Sequence, residues 1–113
     1  MIILHCLLES TWESYKNKAV YGERYMETEG FIHCSDIHTF HKVAPNFKNV
    51  TEPMVLLCID TEKLNPLVKW EDLYNDGTEY PHIYGLLNIN CVVNVLPFLR
   101  DENGDFLLNS ELI

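Results

Sequence analysis

Glu29-Gly30-Phe31-Ile32-His33-Cys34-Ser35, the stretch EGFIHCS, holds a turn, a short strand and the first residue of a helix in seven positions. Gly30 tolerates positive φ and breaks the backbone after Glu29. Phe31 to Cys34 is an apolar run too short for a helix, with aromatic and β-branched side chains, which predicts a buried strand. Ser35 is a favourable N-cap for a helix over 36–44, with Asp36 near the positive end of that helix's dipole. His33 and Ser35 are two residues apart and therefore point to one side of an extended chain. A polar pair at the end of a core strand, beside a helix N-terminus, is a common place for a small anionic ligand.

Upstream, Ile2 to Leu8 is strand-like, with His5 and Cys6 in its middle. Ser10-Thr11-Trp12-Glu13 matches a capping box and predicts a short helix to about Lys18. Ala19 to Thr28 reads as a loop with room for one short strand. Downstream, Asn46 to Glu52 is a polar connection, and Pro53 to Asp60 is the strongest strand in the chain. Its apolar run hardly alternates, which places it at the centre of a sheet. Leu67 to Glu71 is a further strand, Asn75-Asp76-Gly77 a turn, and Tyr80 to Gly85 holds too much Pro and Gly for regular structure. Cys91 to Leu99 is another strand, followed by a hairpin turn on Asn103-Gly104 and a return strand over Phe106 to Leu108. Five to seven short strands with two short helices, both in the N-terminal half, predict an α+β fold with a curved, mostly antiparallel sheet.

A length of 113 residues suits one domain with a real core. With 17 acidic against 8 basic residues and a net charge of -9, nucleic acid and anionic membranes are excluded as general partners. A bound phosphate would have to be held locally, by backbone N–H groups, histidines or one of the few Lys and Arg. No apolar run approaches a membrane span, and MIILHCLLES lacks the basic start of a signal peptide. Cys6, Cys34, Cys58 and Cys91 are spread without a CxxC pair, which predicts buried free thiols in a reducing cytoplasm rather than a disulfide or zinc framework.

Candidate site residues follow from side-chain type and place. His33 and Ser35 are either ligand contacts or a hydrogen-bonded core histidine and a helix cap; His5, on its own core strand, poses the same choice. His82 and Tyr84 stand in a Pro- and Gly-bounded aromatic segment, the kind of special conformation that often carries binding residues. Glu71 is a candidate general acid, base or ribose-binding carboxylate, a role that requires burial, or else an exposed strand end. His38 and His41 are neighbours on one helix surface, but no spacing supplies further ligands, so no metal is expected. Cys34 and His33 are adjacent on a strand, face opposite ways and make a poor nucleophilic pair. Neither a P-loop nor GxGxxG is present.

The strand with His5, the helix with Trp12, EGFIHCS, Asn46-Phe47, VLLCID at 55–60, VKWE at 68–71, PHIYG at 81–85 and DENGDF at 101–106 recur together in a known pattern. In that order they resemble, over essentially the whole chain, the bacterial family called domain of unknown function 952. The resemblance implies the fold of the ADP-ribosyltransferases, a split, curved sheet around a nicotinamide dinucleotide cleft. It implies that His5 matches the first-strand histidine that holds the adenine-side ribose. Gly30 to Ser35 with Asn46-Phe47 would then be the second motif, packed beside the nicotinamide. The third motif departs from the family pattern of transferases: His82 and Tyr84 stand where a late-strand catalytic glutamate belongs, and Glu71 precedes them.

The implied protein is a cytoplasmic monomer or weak homodimer whose cleft, lined by His5, His33, Ser35, His82 and Tyr84, takes NAD or an ADP-ribose-like nucleotide. Any glycosyl transfer would rest on Glu71 and His82. Two rival classes are a binding module without chemistry and an interaction domain whose acidic surface takes a basic partner.

Overall fold

The computed structural model describes residues 1–107 and 109–112. The expected central strand is present: β4 (Met54–Asp60) lies between β1 (Ile2–Leu8) and β8 (Val92–Pro97), antiparallel to both. Both faces of β1 and β4 are covered, which is why these two strands read as nearly unbroken apolar runs. Ile3, Leu7, Leu57 and Ile59 enter one core with Ile32, Ile83 and Leu87. Leu4, Cys6, Leu56 and Cys58 enter a second core with Phe40, Ala44 and Leu96.

A second sheet runs in the order β3 (Ile32–His33), β6 (Tyr80–Tyr84), β5 (Leu67–Glu71) and closes over the first of these cores. Two smaller pairs join β2 (Val20–Tyr21) to β7 (Leu87–Asn88) and β9 (Leu99–Arg100) to β10 (Phe106–Leu107). Every pairing among the described residues is antiparallel.

The two three-stranded sheets meet at a single bridge. Leu4 N–H donates to the Ser35 carbonyl at 2.7 Å and Ser35 N–H to the Leu4 carbonyl at 2.8 Å. The next link is made by a side chain instead of the backbone, His5 Nδ1 to the His33 carbonyl at 2.7 Å. From there β1 and β3 part, and a cleft opens between them. The fold is therefore mixed α and β with mostly antiparallel sheets and few helices, as expected.

Several local expectations are corrected. Tyr80 to Tyr84 is a regular strand, and the inner one of its sheet. Pro81 is tolerated because it sits where the two-residue β3 ends: its carbonyl takes Cys34 N–H at 3.1 Å and no ladder donor is required of it. The segment after Ser35 is not one helix from 36; the α-helix is α3 (Phe40–Val43), continued by a 3₁₀ turn over Ala44–Phe47. Asp36, not Ser35, organises the backbone here: its Oδ1 accepts the N–H groups of His38 and Thr39 and the Thr39 hydroxyl, in a turn that precedes α3. A short polar side chain has offered the backbone a turn in place of a helix.

The capping box at Ser10 is not used either. Helix α1 (Glu9–Tyr15) starts straight out of β1, and Glu9 N–H is satisfied by the Pro53 carbonyl at 2.9 Å. Residues expected as loop contain α2 (Glu23–Thr28), which opens at Gly22 with φ 116. The strand expected over 91–99 is divided, with Cys91 in a 3₁₀ turn and β9 starting a new pair. Leu108, the expected end of the last strand, lies outside the described residues. No helix among them is long and apolar enough to cross a membrane. The four cysteines are free and buried.

Candidate functional site

Alternation along the second sheet decides which side chains meet. Ile32 and Ile83 are partners across β3 and β6, and both point into the core with no exposure. The next pair, His33 and His82, must therefore face the other way. Their ring centroids are 5.7 Å apart and nearly perpendicular. Glu71 pairs with Tyr80 and Lys69 with His82, so Glu71, Tyr80 and Tyr84 share the histidines' face. Phe31, leading into β3, lies 4.4 Å from the His82 ring and 5.4 Å from that of Tyr84.

The cleft between the parted strands has a volume of about 590 Å³. His5 and Cys6 of β1 form one wall, and His33, Cys34 and Ser35 form another. Lys42 and Phe47 close it from α3 and the turn that follows, and Tyr74 and His82 from the 74–82 segment. A second lobe of about 670 Å³ adjoins it, sharing Cys6, Tyr25, Glu29 and Phe47. The second lobe adds Tyr15, Tyr21 and Arg24.

His5 is fully engaged within the protein. Its Nδ1–H donates to the His33 carbonyl, so Nε2 is the acceptor of the Tyr21 hydroxyl at 2.9 Å. Burial lowers its pKa to about 4, which leaves the ring neutral near pH 7. Desolvation raises Tyr21 in turn, keeping that hydroxyl a donor. His5 thus lines the cleft, but both its nitrogens are spent on holding β3 and Tyr21.

His82 is buried, and its Nδ1 meets Glu71 Oε1 at 3.0 Å. The same oxygen accepts the Tyr84 hydroxyl. These two bonds, Tyr84 first, hold the Glu71 carboxyl below the usual carboxylate range, while Tyr84 is raised by its bond to Glu71. Nε2 of His82 has no partner among the described residues. His33 has a glutamate of its own: Nε2 lies 2.8 Å from Glu29 Oε2, one helical turn earlier in sequence, and Nδ1 is 3.5 Å from the Tyr74 hydroxyl.

Ser35 is the anomaly. It is 1% exposed, it lines the cleft, and its hydroxyl has no hydrogen-bond partner among the described residues. An unsatisfied buried hydroxyl costs about 1–3 kcal/mol, so its retention on a cleft wall needs a reason.

The expected residues His5, His33, Ser35 and His82 all line one cleft. Glu71 and Tyr84 stand behind His82 and reach the cleft through it. The reading of the residues missed Tyr25, Glu29, Lys42 and Tyr74. Tyr21 and Tyr25, four apart in YGERY, carried a usable signal: on a helix that opens at Gly22 the second is presented toward His33, with ring centroids 6.4 Å apart. The thiols are not nucleophiles, since burial pushes Cys6 to about 12 and Cys34 well above the ordinary range. Among the described residues no group of three or more His, Cys, Asp or Glu is placed to hold a metal ion.

Known structures share this arrangement of strands. The crystal structure of protein CC0527 from Caulobacter crescentus is 26% identical, with a TM-score of 0.83 over 99% of this chain and 98% of that one. The solution NMR structure of CC0527 is 25% identical, with a TM-score of 0.72 over 91% of this chain and 89% of that one. No curated protein matches the chain. The family described as "Protein of unknown function (DUF952)" matches residues 6–95, and the chain belongs to that family.

Proposed function

We propose that the two-lobed cleft binds a nucleotide of the NAD or ADP-ribose kind, on a fold related to that of the ADP-ribosyltransferases. The observation that carries this reading is that the two lobes adjoin. Volumes of about 590 and 670 Å³ share Cys6, Tyr25, Glu29 and Phe47, which suits an elongated ligand with a planar group at each end. Each lobe offers tyrosine rings and one cation, Lys42 in the first and Arg24 in the second. A split sheet with the cleft at the split fits the same relationship. The net charge of -9 favours a small ligand over a nucleic acid polymer. Four buried free thiols fit a cytoplasmic protein, here read as a monomer or weak dimer.

The chemistry proposed for such a ligand is transfer of the ribosyl group from nicotinamide, in which a carboxylate stabilises positive charge growing on the ribose. Glu71 serves in this reading as a positioning residue for His82. Glu29, which lines both lobes, is the carboxylate within reach of the ligand.

Backbone amide NMR titrations with NAD and ADP-ribose test the binding. Saturable shifts should appear together at 4–6, 29–35 and 74–82, and silence at millimolar ligand would end the nucleotide reading. Release of nicotinamide from NAD, lost in Glu29→Gln, separates a transferase from a module that only binds.

A further inference from the structure

We propose that the floor of the first lobe is a phosphoryl subsite built by Ser35, His82 and Lys42. The inference rests on the nucleotide reading and names the group of the ligand that this lobe takes. It follows from an imbalance between spare donors and spare acceptors.

Each carboxylate that faces the lobe already accepts from a donor of the protein. Glu29 Oε2 is held by His33 Nε2 at 2.8 Å. Asp76 accepts Thr78 N–H at one oxygen and the Tyr80 hydroxyl at the other. Behind the wall, Glu71 takes His82 Nδ1 and the Tyr84 hydroxyl on one oxygen.

The donors are not committed. Ser35 Oγ is buried and has no partner among the described residues. His82 has only Nδ1 engaged, and Lys42 Nζ gives one hydrogen bond, to Thr78 Oγ1, leaving two N–H groups. The three come from separate elements: the end of β3, the middle of β6 and α3. A ligand group that satisfies them must be rich in acceptors, carry negative charge and present oxygens in several directions. A phosphoryl group does all three, whereas a planar carboxylate has only two oxygens to offer. An anion seated at Nε2 meets His82 as a donor on that side, while Glu71 holds Nδ1 at 3.0 Å on the other. The Ser35 hydroxyl then acquires the partner that the protein does not supply.

The test compares AMP, adenosine and inorganic phosphate by amide NMR titration of the full chain. AMP should shift residues 33–35 and 82 saturably and bind at least tenfold more tightly than adenosine. Inorganic phosphate alone should shift the same amides at millimolar concentration. Ser35→Ala and the more exposed Lys42→Met should each cut the AMP advantage at least fivefold while the rest of the spectrum is kept. Equal affinities for AMP and adenosine would overturn the subsite and leave the nucleotide reading standing. Phosphate shifts at Ser35 and His82, without any response to NAD or ADP-ribose, would do the reverse. No response of these amides to AMP or to phosphate overturns the subsite outright.

Discussion

His33 and His82 stand opposite each other across β3 and β6, and each is bonded through one ring nitrogen to a glutamate, Glu29 at 2.8 Å and Glu71 at 3.0 Å. The strand pairing fixes the distance between the rings. The glutamates fix which nitrogen each ring has left for the cleft. Two imidazoles with unlike surroundings result: the His82 side chain is 1% exposed and that of His33 is 36% exposed. Glu29 reaches His33 from four residues earlier within the same stretch, whereas Glu71 reaches His82 only through the pairing of β5 with β6, which no local spacing shows.

Glu71→Gln tests the pairing at His82. The substitution keeps the shape of the side chain and removes the charge that accepts from both His82 and Tyr84. Nitrogen-edited NMR of the imidazole should show His82 losing its preference for a proton on Nδ1, and affinity for ADP-ribose should fall several-fold. Tyr84→Phe removes only one of the two bonds and should change the ring less. An unchanged His82 tautomer in Glu71→Gln would show that the strand pairing alone sets the ring.

The neutral, buried His5 gives stability a dependence on pH. The unfolded imidazole binds its proton near the ordinary value of 6.5 and the folded one near 4, so between these values the unfolded chain holds more protons. Stability therefore falls as pH drops through this window, by roughly 3 kcal/mol in all. Urea denaturation of the natural protein and His5→Gln from pH 7 to pH 4 isolates the effect, since carboxylates titrate in both. The stability advantage of the natural chain should shrink as pH falls; a constant difference would mean that His5 is not held neutral.

The strands that carry the cleft were legible where a single physical cause governs them. An unbroken apolar run marks β4 as central because both its faces are buried, and β1, at the edge of the same sheet, is likewise buried on both faces. EGFIHCS gave the strand at Ile32–His33 and put His33 and Ser35 on one cleft wall. Local rules failed where a tertiary contact took over their task. The Pro53 carbonyl caps α1 in place of Ser10, and a turn held by Asp36 takes the place of the helix start expected at Ser35. Tyr80 to Tyr84 reads as irregular from Pro and Gly alone, yet packing of Ile83 and the pairing of both edges make it a strand. The second lobe was illegible because α2, which shapes it, lay in a stretch whose helix begins at a positive-φ glycine.

Arg24 is the test of the second lobe. Its guanidinium makes no ion pair or hydrogen bond among the described residues, and it lines the lobe beside Tyr21 and Tyr25. Arg24→Ala should leave the melting temperature nearly unchanged, because an exposed, unpaired cation contributes little to stability. Affinity for ADP-ribose should drop about tenfold, and the dependence of binding on salt should weaken. A variant that binds as tightly as the natural chain at every salt concentration would place the ligand wholly within the first lobe.

Gly22 links the backbone to the cleft, and its replacement should be costly in a way that can be undone. The residue has φ 116, and an added Cβ would lie 2.6 Å from Ile32 Cδ1 and 3.2 Å from Cγ1. Ile32 has no exposure and cannot move aside freely. Gly22→Ala therefore combines backbone strain of about 1–2 kcal/mol with overpacking of about 1–3 kcal/mol. Gly30 supplies the control: it also has positive φ, at 82, but an added Cβ meets nothing within 4 Å. Gly30→Ala should lose about 1–2 kcal/mol, from backbone strain alone. Ile32→Val removes Cδ1, the atom in closest conflict, and by itself should cost about 0.5–1.5 kcal/mol. Combined with Gly22→Ala it should restore part of the stability, so the double variant is more stable than the two single losses added together. Thermal denaturation of the four proteins reads the coupling directly. Strict additivity would locate the whole cost in the backbone and show that α2 shifts to accommodate the methyl group.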